Sequence, residues 1–158
     1  NCMSTNDMVI VLANGLAKNK TITKADKNFH IFQKALDHVC LDLAKKIVKD
    51  GEGATKFITV TVKGAKNYAQ AKTAALAIAN SNLVKTAAYG SNPNWGRVAA
   101  AVGSLSLPIN EKQLKISFSS FEKKDISICA QLKLGSASAT IYTSDLSPEY
   151  VAINGKYN

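Results

Sequence analysis

The chain has 158 residues, 46% apolar and 20% charged, ordinary proportions for a single globular domain over 1–158 with a buried core. No stretch is long and apolar enough to cross a membrane, and the opening NCMSTNDMVIVLANG lacks the basic start and cleavage site of a signal peptide; a cytoplasmic protein is predicted. The net charge of +9 is carried by scattered lysines with Arg97 as sole arginine, which argues against nucleic-acid recognition and fits a solvated surface, or a field favouring small anions such as amino-acid carboxylates.

In chain order, the apolar run Met8 to Ala13 predicts a buried strand ended by turn chemistry at Asn14-Gly15. Lysine-rich polar sequence follows to Lys24. Phe29, Phe32, Leu36, Val39, Leu43 and Ile47 then recur at helical spacing, widened by Cys40, Ala44 and Val48. Thr23 with Asp26 resembles a capping box, and Gly51 is a natural stop. Such a stripe predicts a helix packed through one face. His30 and His38 fall outside it and should face solvent; an imidazole without a positioned partner does no catalysis.

Ile58, Val60 and Val62 alternate with Thr59 and Thr61, predicting a half-buried strand from Lys56 to Val62. An alanine-rich helix should run from Asn67 to Ala79, interrupted at Ser81-Asn82 before Leu83-Val84. After Gly90, Asn92 can cap, Pro93 suits the first helical position and Gly103 the stop, so Asn94 to Val102 should form a short helix. Its free N–H groups suit a carboxylate, or simply an ordinary cap. Three alternating runs follow, around Leu114 to Phe118, Ile126 to Leu134 and Ala139 to Thr143; they read as an antiparallel meander. Pro148 opens a helical turn containing Tyr150 and Val151. The fold class predicted is α+β, helices layered on a mixed or antiparallel sheet.

Three separated cysteines, Cys2, Cys40 and Cys129, with no CxxC, oppose both a disulfide framework and a zinc site; Cys40 and Cys129 read as small hydrophobes. No GxSxG, P-loop, HExxH or GxGxxG occurs, and no metal is predicted. Glu52 stands out because it interrupts the glycines of Asp50-Gly51-Glu52-Gly53 between a helix and a strand, where side chains often face a pocket, although an exposed acid in a turn explains it equally.

Four blocks carry more information. They are STND at Ser4 to Asp7, EGATK at Glu52 to Lys56, LVKTAAYGSNPNWGR at Leu83 to Arg97, and SDLSPEYVAINGKYN from Ser144 onward. In this order, and over nearly the whole chain, they resemble the ornithine acetyltransferase family of arginine synthesis, in the C-terminal part of its second, β chain. The resemblance implies ping-pong acyl transfer. The family's precursor cleaves itself, and the threonine exposed at the start of the second chain is the nucleophile, with its own α-amine as base. Acetyl passes from N2-acetyl-L-ornithine to that threonine and then to L-glutamate. Bifunctional members also accept acetyl-CoA as donor, a point the sequence leaves open; no other cofactor is implied. The implied partners are these amino acids, the first (α) chain and the start of the β chain, in a hetero-tetramer of two α and two β chains.

By the same resemblance Glu52 matches the family glutamate that contacts substrate, and Asn154 the asparagine of the YVxxN word, able to donate and accept hydrogen bonds. Departures limit the expectation. The family's threonine lies several tens of residues before STND, so no catalytic residue is expected in this chain. The α-chain Thr-Gly oxyanion hole is missing too. Asn92 stands where the family usually has aspartate, and Tyr157-Asn158 stand where it commonly continues to a hydroxyl residue. Cys2 could replace the threonine only after removal of Asn1. The expectation is therefore a β-chain fragment that supplies substrate contacts and is inactive alone; the alternatives are a non-catalytic assembly module and, third, a basic nucleic-acid binder.

Overall fold

The computed structural model describes residues 6–156. Ser4 and Thr5 of the first block, Cys2 and the terminal Tyr157-Asn158 lie outside the described residues. The chain divides into two compact units, 1–43 and 44–158, with the boundary inside the first helix.

In the first unit, Met8 to Ala13 is not a strand. Its side chains face solvent, Val9 being 92% exposed. A strand must pair its backbone N–H and C=O groups with a neighbour, and the unit has no second strand among the described residues. The turn after it does form, with Leu16 N donating to Asn14 Oδ1 (3.1 Å) and Gly15 at φ +72°. Helix α1 (Lys27–Lys49) follows. Asp26, rather than Thr23, supplies the cap: its Oδ1 accepts from Asn28 N and Phe29 N at 2.9 and 3.1 Å. The apolar stripe is where periodicity puts it, yet no α1 residue is buried. Cys40, predicted to be a packed hydrophobe, is exposed. His30 and His38 are exposed as predicted.

The second unit holds a four-stranded sheet, β1 (Phe57–Ala65), β2 (Lys115–Phe118), β3 (Asp125–Gln131) and β4 (Ala137–Ser144), in the order β2-β3-β1-β4. Helices α2 (Tyr68–Ala79), α3 (Asn82–Tyr89) and α4 (Trp95–Gly103) fall between β1 and β2, and α5 (Pro148–Asn154) follows β4. Among the described residues the chain has five helices and one four-stranded mixed sheet, an α+β fold. The meander is corrected: β2 and β3 pair antiparallel, but β4 pairs with β1, and β1 runs parallel to β3 with Ile58 opposite Ile126. Alternation reveals which face of a strand is buried and nothing about its neighbours; β1, apolar along one whole face, shares the inner positions with β3.

Ile58, Val60 and Val62 of β1 and Ile126, Ile128 and Ala130 of β3 point to one face. There they meet Ala71, Ala74, Ala75 and Ile78 of α2, and Val98 and Val102 of α4. Alanine keeps the α2 backbone close to the sheet, and a close-packed interior leaves no room for more. On the opposite face Phe57 stacks on Tyr142 (5.6 Å between centroids), with Lys49 Nζ and Lys45 Nζ each 4.9 Å over the rings. The caps of the helices are local: Asn67, Ser81, Asn94 and Ser147 accept from the third residue on, at α2, α3, α4 and α5. At α4 this corrects the sequence reading, because Asn94 caps and Pro93 stays outside the helix.

Candidate functional site

The site is built where the loop after α1 meets the junction between β4 and α5. Asp145, 3% exposed, lies just past β4. Its Oδ1 accepts from Thr55 N (2.8 Å) and Lys56 N (2.9 Å), and its Oδ2 accepts from the Thr55 hydroxyl. A buried carboxylate is tolerated only when such donors replace its water. Two residues on, Ser147 is equally buried. Its hydroxyl donates to Gly53 O (2.6 Å) and accepts from Tyr150 N (3.1 Å), so one oxygen both caps α5 and ties it to the loop. Gly53 makes this approach possible. Its φ is +65°, and a Cβ there would lie 2.9 Å from Ser147 Oγ and from Tyr150 Cα.

These ties bring the two sequence-predicted residues together. Asn154, on the last turn of α5, donates through Nδ2 to Glu52 Oε2 (3.1 Å) and to Tyr150 O (2.9 Å). Both side chains are exposed. The amide orientation is fixed by chemistry: turned over, Asn154 Oδ1 would face two acceptors. With both its N–H groups committed, Asn154 offers outward only its oxygen, beside the Glu52 carboxylate. Such a pair accepts hydrogen bonds and carries negative charge. It suits a donor-rich cation, an ammonium group above all.

The third block joins through Lys56, whose Nζ donates to Ser91 Oγ (2.6 Å) and to the Phe121 carbonyl. Ser91 sits at φ +52° where α3 ends; Ser91 N donates to Ala88 O and Asn92 N to Ala87 O. That is a Schellman ending with serine in the left-handed position usually given to glycine. Arg97 is also committed, with Nη1 donating to Leu83 O (2.8 Å) and Thr86 Oγ1 (3.2 Å), so it fastens α4 to α3. A cleft of about 280 Å³ opens beside the loop, lined by Lys49, Thr55, Lys56, Phe57 and Lys124 among others. Its cations are largely spoken for, since Lys56 is bound as above and Lys49 pairs with Asp125 at 3.2 Å.

Sequence reasoning missed Asp145, Ser147, Lys56 and Ser91. Ser147 before Pro148 does carry the signal of a helix cap. Nothing local marks the partners of Asp145, which lie ninety residues away along the chain.

The ArgJ family model matches residues 1–123. Among curated relatives, the arginine biosynthesis bifunctional protein ArgJ of Geobacter sulfurreducens is 44% identical across 98% of this chain. The glutamate N-acetyltransferase of Methanopyrus kandleri is 43% identical, also across 98%. The chain spans 45% of the length of each of these two relatives. The crystal structure of arginine biosynthesis bifunctional protein ArgJ from Bacillus halodurans superposes with a TM-score of 0.89 at 38% identity, covering 99% of this chain and 83% of that one. Sequence and fold agree, and the chain belongs to the ArgJ family, the ornithine acetyltransferases that its four blocks resemble.

Proposed function

We propose that the chain is the substrate-holding part of a cytoplasmic glutamate N-acetyltransferase of arginine biosynthesis, in which Glu52 and Asn154 receive the ammonium end of the amino-acid substrate. The observation that carries this reading is the Asn154–Glu52 hydrogen bond at 3.1 Å, which joins the second and fourth family blocks into one acceptor-only pair. Acetyl then moves from N2-acetyl-L-ornithine to the hydroxyl of a threonine supplied from outside this sequence, releasing ornithine, and next from that ester to the amine of L-glutamate. The threonine's α-amine takes the hydroxyl proton and returns it to the leaving amine. The nucleophile and the oxyanion donors belong to the α chain and the start of the β chain, in an assembly of two α and two β chains. The relatives' greater length supports this division.

Incubation with N2-acetylornithine and glutamate tests the reading. The 158-residue chain alone should release no ornithine; joined to the preceding segments of a relative, it should. Glu52→Gln in the joined enzyme should lower kcat/KM by about tenfold to a hundredfold, the range for losing a charged hydrogen-bond partner. Turnover by the chain alone, or an unaffected Glu52→Gln enzyme, overturns the corresponding part of the proposal. Acetyl-CoA offered in place of acetylornithine asks in the same assay whether it serves as a second donor.

A second reading, a docking module without catalysis, is favoured by the exposed stripe of α1, where Phe32 is 59% and Ile47 71% exposed. Complete lack of turnover in the joined enzyme would favour it.

A further inference from the structure

We infer that Asp145 and Ser147 are positioning residues that set the distance and orientation of the Glu52–Asn154 pair. The inference rests on the reading of that pair as the substrate-holding group, and it concerns residues that touch neither member directly. Glu52 and Asn154 lie on separate segments and both are exposed, so a hydrogen bond between their side chains adds little to the register of the two segments. Buried ties add far more. Asp145 grips the loop just past Glu52 through two backbone N–H groups and one hydroxyl. Ser147 grips the residue next to Glu52 through the Gly53 carbonyl and, with the same oxygen, the first turn of the helix that ends in Asn154. Asp145 N also donates to Lys56 O, closing the junction from the other side (3.3 Å). The two segments are thus bonded at successive points leading up to the pair, and α5, about two helical turns, transmits that placement from Ser147 to Asn154.

The test is nuclear magnetic resonance on the ¹⁵N-labelled 158-residue chain, reading the Asn154 side-chain amide, with the β1 and β3 backbone amides as the measure of intact folding. Ser147→Ala should speed exchange of the Asn154 Nδ2 protons by about tenfold, as loss of a hydrogen bond to a charged acceptor implies, while the sheet amides keep their shifts. Ser147→Thr, which keeps the hydroxyl, should restore the wild-type signature. If the sheet amides of Ser147→Ala are lost, Thr55→Val, which removes only the hydroxyl bonded to Asp145, is read in the same way. An Asn154 amide as protected as wild type in a folded variant overturns the inference. Titration with ornithine keeps the two ideas apart. A wild type whose Asn154 amide ignores ornithine, beside a Ser147→Ala chain with faster exchange, overturns the substrate reading and leaves the positioning intact. Equal ornithine-induced shifts in wild type and Ser147→Ala overturn the positioning and leave the substrate reading intact.

Discussion

At Gly53 and Gly103 the same substitution should have opposite signs. Alanine at Gly53 must adopt φ +65° and drive its Cβ against Tyr150 backbone atoms that belong to a capped helix and cannot give way. Gly53→Ala should therefore cost about 2 kcal/mol or more, seen as a lower urea midpoint. At Gly103 nothing lies within 4 Å of the added methyl and the backbone is helical, so Gly103→Ala should stabilise by about 0.5 kcal/mol. A loss at Gly103, or no change at Gly53, would contradict the packing described. The site residues were legible to different degrees for a related reason. Glu52 and Asn154 could be named from the family words around them, but their meeting could not, because it depends on contacts between segments a hundred residues apart. The commitment of both Asn154 N–H groups was invisible as well: a sequence shows what an amide can do, and only its neighbours decide which of its atoms remain on offer.

Among the elements, α4 separates a correct local rule from its correct placement. Asn92 and Asn94 both have capping chemistry; the structure uses Asn94, whose Oδ1 accepts from Arg97 N at 3.1 Å. Asn94→Ala should lower stability by about 1 kcal/mol, while Asn92→Ala should stay within about 0.5 kcal/mol, and thermal melts of the two variants decide it. The helices and strands of residues 57–154 were largely legible, because hydrophobic period and caps act within a few residues. Strand partnership was not. The three alternating runs after Leu114 suggested a meander, yet β4 crosses to β1, a choice set by burial across the whole sheet. Met8 to Ala13 failed in the other direction: its composition is that of a strand, but composition cannot supply the neighbouring backbone that would make it one.

At the scale of the whole molecule, the α1 stripe is an exposed apolar face, as is the run from Met8 to Leu12. Periodicity marked the helix and its apolar stripe, but the packing it predicted is absent, since no α1 residue is buried. Phe32, Val39 and Leu43 are each more than half exposed. Contiguous apolar surface of this kind drives association. Replacing Phe32 and Val39 together by lysine should reduce self-association of the chain in sedimentation velocity experiments while leaving its sheet content unchanged by circular dichroism; undiminished association would place the sticky surface elsewhere. The inner position of β1 has its own consequence during synthesis. β1 leaves the ribosome well before either strand that will flank it, and only α2 follows at once to cover its apolar face. Until β3 and β4 arrive, both edges of β1 are open to pairing with another nascent chain. Lys56 before the strand, Lys63 within it and Lys66 after it put charge at both ends of that window, and charge so placed disfavours pairing with another chain while the protein is being made.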